Sequence, residues 1–222
     1  MSIELRTLFD DPRIHVLTAA VSEAAIDRIS EREAAFIAKA ALKRKREFAT
    51  ARVLAREAFG QHFAVRDFDF LNAPDRSPLW PAGVTGSVSH SDTRVWIAIA
   101  DAALGTIGID GESRAGLERK LWRLILRTEE IEYIENLPSS IRERRALTMF
   151  SAKEALYKAQ YPRSGRFMGF LALRVHVHES GTLGYVFQDD IGPFPAGFCA
   201  SGRWIEEADV VTSAWIPGRR VA

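Results

Sequence analysis

Residues 105–112 read "GTIGIDGE", an apolar run that ends in two acids, Asp110 and Glu112, with one glycine between them. If the run is a strand that continues through its end, a period of two puts both carboxylates on one face, a few ångströms apart. Like charges that close need a cation. Just upstream, "VTGSVSHS" (84–91) and "VWIAIAD" (95–101), joined by "DTR", read as a pair of hairpin-like strands, so 105–112 is a third strand. Further upstream, residues 31–60 are rich in Ala, Glu, Lys and Arg without an interior Gly or Pro. That composition predicts a helix, interrupted at most once, with Gly60 as its stop. Between helix and hairpin lies the turn-rich "NAPDRSPLWPAG" (72–83).

Downstream, residues 116–137 read as one or two helices, and "SIRERRALTMFSAKEALYKAQY" (140–161) as a long one ended by Pro162. The tail returns to strands in "FLALRVHVHE" (170–179), "LGYVFQ" (183–188) and "ADVVTSAWI" (208–216). Helix then strands occur twice, which predicts an α+β chain of two similar lobes, residues 1–104 and 105–222. No linker or low-complexity tract separates them, so the expected site is shared at their junction.

The 222 residues carry 47% hydrophobic residues and a formal net charge of +1, enough apolar material for a real core and no global field toward nucleic acid or membrane. The first twenty residues lack the pattern of a signal peptide, and no window approaches a membrane span. The single cysteine, Cys199, excludes an internal disulfide and a multi-cysteine zinc site. The expectation is a cytoplasmic protein.

On a helical wheel of the 140–161 segment, Glu154 shares the apolar face with Leu147, Phe150, Tyr157 and Lys158. A carboxylate there needs compensation, and Lys158 one turn on supplies it in the simplest reading, an intrahelical pair. Taken with Asp110 and Glu112, however, Glu154 completes a set of three carboxylates on separate elements. Such a set suits Mg²⁺, which takes a few carboxylates and completes its octahedron with water and substrate phosphate oxygens. On the first helix, Lys45, Arg52 and Arg56 line the rim of the buried face. They either snorkel at the core edge or point into an anion-binding cleft. The run Lys43 to Arg46 reads as a solvated face, and His90 as a core or phosphate-facing ring. His176 and His178 alternate on a strand without a third metal ligand nearby.

Four segments in fixed order carry a resemblance: "ATARVLAREAFG" (49–60), "RSPLWPAGVTGSVSHS" (76–91), "IGIDGE" (107–112) and "FSAKEALYKA" (150–159), with "MGF" (168–170) trailing. Together they resemble the surfactin-type 4'-phosphopantetheinyl transferases, in the branch of enterobactin synthase component D. The resemblance implies a pseudo-dimer of two α/β lobes in a monomeric chain. It also implies Mg²⁺-dependent transfer of the 4'-phosphopantetheine arm of coenzyme A to a serine of an apo carrier protein, with release of 3',5'-ADP. It implies Asp110, Glu112 and Glu154 as metal ligands, with Glu154 also the base toward the incoming serine. Lys158 and Lys153 would neutralise the diphosphate, and His90 would contact it. Arg52, Arg56 and Arg76 would contact the 3'-phosphate and adenosine end, and Ser89 would help hold the nucleotide. The acceptors implied are carriers of siderophore and other nonribosomal peptide, polyketide or fatty-acid synthesis. The residue between the two acids is commonly bulkier and apolar in relatives; Gly111 offers no side chain to the metal, so it either makes room for a metal-bound water or loosens the site. A metal-dependent phosphodiesterase or nuclease, or a module that binds coenzyme A or a carrier without catalysis, are the alternatives.

Overall fold

The computed structural model describes residues 5, 7–113 and 116–218. The opening residues read above for a leader, 1–4 and 6, lie outside the described residues. An initial strand β1 (His15–Ala20) precedes a short helix α1 (Glu31–Phe36) and a long helix α2 (Leu42–His62). The hairpin β2 (Val84–His90) and β3 (Arg94–Asp101) follows, and with β1 it forms an antiparallel sheet of order β1-β3-β2. The second round begins with β4 (Gly105–Glu112), then α3 (Trp122–Ile125), α4 (Thr128–Glu135) and the long α5 (Ser139–Ser164). Four strands complete it: β5 (Leu173–Val177), β6 (Thr182–Phe187), β7 (Cys199–Glu206) and β8 (Val210–Pro217). The second sheet has the order β4-β8-β7-β6-β5 and is antiparallel throughout.

The expected α+β class and two lobes are present, each a long helix on an antiparallel sheet. Alternation along β3 explains how they join. Val95, Ile97 and Ile99 face α2 and pack on Ala51, Leu54, Ala55 and Phe59. Their neighbours Trp96, Ala98 and Ala100 face the other way, onto Ile107, Ile109 and Val211 of the second sheet. The layers therefore run helix, sheet, sheet, helix. α5 closes the stack, laying Leu147, Ala152, Ala155 and Leu156 over Leu173, Tyr185 and Ala214. The two sheets also touch through side chains: Ser87 Oγ accepts from the Ile109 amide (3.0 Å) and Ser89 Oγ from the Gly111 amide (3.2 Å).

Three local expectations need correction. The first helix breaks between Phe36 and Leu42 and then runs through Gly60 to His62, where the Phe63 amide still reaches the Phe59 carbonyl. Glycine in that last turn costs about 1 kcal/mol relative to alanine, too little to end a helix packed along its length. Likewise α5 passes Pro162, which removes a single hydrogen bond near the end, and stops at Gly165, whose φ of 58° is the left-handed conformation of a helix terminus. β1 and β7 are additional strands; β7 is half-exposed along its length, so its sequence "CASGRWIE" shows no apolar alternation.

β4 is the strand on which the helix α5 rests, and Gly108 is the contact. A Cβ there would run into the Ala155 carbonyl of α5. Because that obstacle is backbone, Gly108→Ala must push helix from strand; overpacking of this kind typically costs about 1–3 kcal/mol. A urea unfolding midpoint unchanged by Gly108→Ala would contradict this packing.

Candidate active site

With Gly108 against α5 and Ile107 and Ile109 against the first sheet, the period of two fixes where the acids point. Asp110 and Glu112 share the Gly108 face, toward α5, and Gly111 faces the first sheet. A Cβ on Gly111 would meet the indole of Trp96. The glycine is thus the seat of a buried tryptophan within a paired strand, opposite Val211.

Asp110 is buried. Its Oδ1 accepts from Ser89 Oγ and from Lys158 Nζ, both at 2.8 Å, and Lys158 Nζ also donates to the Ile109 carbonyl at 3.1 Å. Asp110 Oδ2 is buried with no hydrogen-bond donor among the described residues. Leaving a buried acceptor unmet costs about 1–3 kcal/mol, more for a charged one, so the orientation calls for a partner. Glu154 lies close by. Burial pushes its carboxyl above the ordinary range; Lys158 opposes that push, and Asp110 and Glu112 add to it. Three carboxylates crowd one another here, with one ammonium among them. Among the described residues no three such side chains form a ready-made cage for an ion. Hard oxygen donors and an unmet buried oxygen nevertheless fit Mg²⁺, which keeps several waters and needs only a few protein ligands.

Lys158 is also the link to a cleft of about 590 Å³ between the lobes. Its walls include Arg44, Arg52, Arg76 and His90 from the first lobe and Tyr157 and Lys158 from α5. Arg52 is buried, its guanidinium stacked on Phe48 (3.7 Å to the ring centroid) and near Phe70 (4.8 Å), and it donates to Asn72. Its Nε has no partner among the described residues. Burial, opposed by Glu33 and helped by Arg44 and Arg56, lowers its pKa to about 9, so it stays cationic at neutral pH. A buried guanidinium with an unmet donor beside a cleft has the chemistry to pair with an anion such as a phosphate monoester. The His90 ring accepts from Arg44 at Nε2 (2.5 Å) and turns Nδ1 toward Glu47 (3.3 Å). Burial, then the charge of Arg44, holds its pKa down. Arg76 reaches the cleft from a loop in which its own φ is 71°, and that loop is tied to α5 by a hydrogen bond from Tyr161 Oη to Asp75 Oδ2 (2.9 Å). Arg44 and Tyr157 also line the cleft, and nothing in the run Lys43 to Arg46 marks which of its four cations turns inward.

Three expected contacts are corrected. Arg56 turns away from the cleft and forms a two-pronged pair with the buried Glu33 (2.8 and 2.6 Å). Glu33 is held in place because its carboxylate caps α1 and accepts from the Phe70 amide. Lys153 is buried, with its ammonium on Glu130 and two backbone carbonyls, so it cannot reach a diphosphate. Ser89 is buried with its hydroxyl on Asp110, bracing a carboxylate rather than lining the nucleotide cleft.

An interlobe cleft lined by arginines, with Lys158 on its wall paired to the buried Asp110, has the chemistry to take an anionic ligand beside a group of acids. The family comparisons give that chemistry a name. Residues 32–100 match the family described as 4'-phosphopantetheinyl transferase N-terminal domain, and residues 106–210 match the 4'-phosphopantetheinyl transferase superfamily. The chain belongs to the 4'-phosphopantetheinyl transferase superfamily. It is similar to the 4'-phosphopantetheinyl transferase Svp of Streptomyces mobaraensis, 36% identical over 142 residues, covering 62% of this chain and 56% of that protein. It is also similar to the 4'-phosphopantetheinyl transferase Npt of Nocardia iowensis, 35% identical over 60% of each chain. Enterobactin synthase component D of Escherichia coli (strain K12) is 34% identical, over 53% of this chain and 55% of that one. The chain spans less than two thirds of the length of each of these relatives.

The raised Glu154 has a consequence for stability. Between the ordinary value of 4.5 and its raised folded value, the folded state binds the extra proton, so metal-free stability falls as pH rises through that window. In Glu154→Gln this component of the pH dependence should vanish and stability at neutral pH should not decrease. Denaturation midpoints across the window, in chelator, check this; parallel curves for the two proteins would contradict it.

Proposed function

We propose that the protein transfers the 4'-phosphopantetheine arm of coenzyme A to a serine hydroxyl of an apo carrier protein. The observation that carries the reading is the arginine-lined cleft whose wall includes Lys158, itself paired to Asp110, with Glu154 one turn away on the same helix. The first lobe, residues 1–104, supplies the nucleotide contacts: Arg52 and Arg76 for the 3'-phosphate and adenosine end, with Arg44 and His90 toward the diphosphate. The second, residues 105–222, supplies the acids and Lys158. Both halves of the cleft come from one chain, which supports a monomer as the working unit. No helix among the described residues is long and apolar enough to cross a membrane, and the exposed lone thiol of Cys199 suits the reducing cytoplasm in which we place the protein.

Chemically, the serine Oγ attacks the β-phosphorus, the bond from that phosphorus to the bridging oxygen breaks, and 3',5'-ADP departs with the bridging oxygen and its electrons. The serine proton passes to Glu154, directly or through a water. Lys158 and Arg44 offset charge growing on the diphosphate, with His90 accepting from Arg44 and holding it in place, and Arg52 fixes the far end of the nucleotide so that the phosphorus presents itself in line. Asp110, Glu112 and Glu154 would hold Mg²⁺, which when bound neutralises phosphate oxygens as a Lewis acid.

Incubation with coenzyme A, Mg²⁺ and a panel of apo peptidyl, aryl and acyl carriers, followed by mass measurement, tests the activity. At least one carrier should gain the phosphopantetheine mass; none gaining it, while a known transferase modifies the same panel, would refute the proposal. For Arg52→Ala, coenzyme A affinity should fall about tenfold or more, roughly 1.4 kcal/mol, as expected for loss of a charge-assisted contact. Dephospho-coenzyme A should bind both proteins alike. Equal affinity of wild type and variant for coenzyme A would remove Arg52 from the site.

A further inference from the structure

Lys153 precedes Glu154 on α5, yet it faces a different part of the molecule. Its side chain is 1% exposed and that of its partner Glu130 is 2% exposed. The ammonium donates to Glu130 Oε2 (2.6 Å), to the Ile125 carbonyl (2.8 Å) and to the Phe170 carbonyl (3.1 Å). Glu130 in turn accepts from the Arg127 amide at Oε2 (2.8 Å) and from the Val175 amide at Oε1 (2.7 Å). One buried ion pair thus fastens the end of α3, the start of α4, the turn at Phe170 and the edge strand β5 to the helix that carries Glu154. Burial lowers the Lys153 pKa and Glu130 opposes that, so the ammonium is kept by its acceptors.

An apolar pair of similar volume would commonly serve stability as well as or better than such a pair, so stability alone does not account for it. What the pair holds gives a second role. A separate pocket of about 170 Å³ reaches Glu154 and is lined by Lys153, Tyr157, Phe167, Met168 and Phe170. Tyr157 is common to this pocket and to the large cleft, so its side chain separates the cleft on one side from the Glu154 pocket on the other. Phe167, 80% exposed, stands at the mouth of the smaller pocket with its ring edge-on to Tyr157 (6.1 Å between centroids). The wall formed by residues 167–170 is anchored to α5 through the Phe170 carbonyl.

We propose that Lys153, acting through Glu130 and the Phe170 carbonyl, is a positioning residue for the acceptor. It sets the 167–170 wall against Glu154 so that the carrier serine meets the base, and it takes no part in binding coenzyme A. This inference rests on the transferase reading, and its test separates the two.

The full chain is compared with Lys153→Met and with Lys153→Met/Glu130→Gln, which leaves no lone charge buried. Three quantities are read below the melting temperature of each: coenzyme A affinity by calorimetry, kcat and KM for the carrier, and hydrogen exchange of the peptide spanning 166–172. Coenzyme A affinity should stay within about twofold, KM for the carrier should rise about tenfold or more, and exchange in that peptide should accelerate. Weakened coenzyme A binding with an unchanged carrier KM would make Lys153 a diphosphate contact and overturn the proposal. Unchanged kinetic constants with only a lower melting temperature, unaltered exchange at 166–172, or failure of both variants to fold, would overturn it as well. If wild type modifies no carrier, the transferase reading fails on that count, while the exchange and coenzyme A measurements still decide whether Lys153 positions the wall.

Discussion

The close approach of α5 to β4 at Gly108 is the constraint on which the site depends. No side chain separates the strand from the Ala155 carbonyl, so the helix lies on the strand at backbone distance. Glu154 and Lys158 flank that contact on the helix, and Asp110 lies two residues beyond it on the strand. The helical and strand periods then bring acid, acid and lysine together without any loop having to aim them. A larger residue at 108 would lift the helix and part Lys158 from Asp110, whose 2.8 Å pair joins the two elements.

The site is completed from the other lobe, again by rigid elements. Ser87 and Ser89 of β2 bond the backbone of β4, and Ser89 adds a bond to Asp110 itself. Trp96 of β3 packs on Gly111, from behind the acids. The carboxylates are therefore braced on both sides, which keeps like charges close at a cost that a bound cation relieves. Arg52 shows the same economy in the first lobe. It is buried against two aromatic rings and leaves one donor unmet, ready for an anion.

Much of this was legible in the sequence because it depends on periodicity. The strand 105–112, the hairpin before it, the apolar face bearing Glu154 and the helix–strand alternation of both lobes follow from residue spacing alone. Long-range partners did not follow. Arg52 and Arg56 sit one turn apart on the same rim, yet one stacks on Phe48 at the cleft and the other is held by Glu33, a residue of the preceding helix. Lys153 and Lys158 look equivalent beside Glu154, but Glu130, on a helix whose docking no local pattern reveals, takes the first. At Gly111 the space a side chain would fill is taken by Trp96, fifteen residues earlier, a contact no local pattern reveals.

The central claim is that Asp110, Glu112 and Glu154 hold a cation that shares the phosphates of the nucleotide in the cleft. Calorimetric titration of coenzyme A with and without Mg²⁺, for wild type and Asp110→Asn, tests it most directly. The account predicts that Mg²⁺ tightens coenzyme A binding by about tenfold or more in wild type, that coenzyme A tightens Mg²⁺ by the same factor, and that Asp110→Asn abolishes the coupling. Coenzyme A affinity indifferent to Mg²⁺ in wild type, or coupling intact in Asp110→Asn, would contradict it.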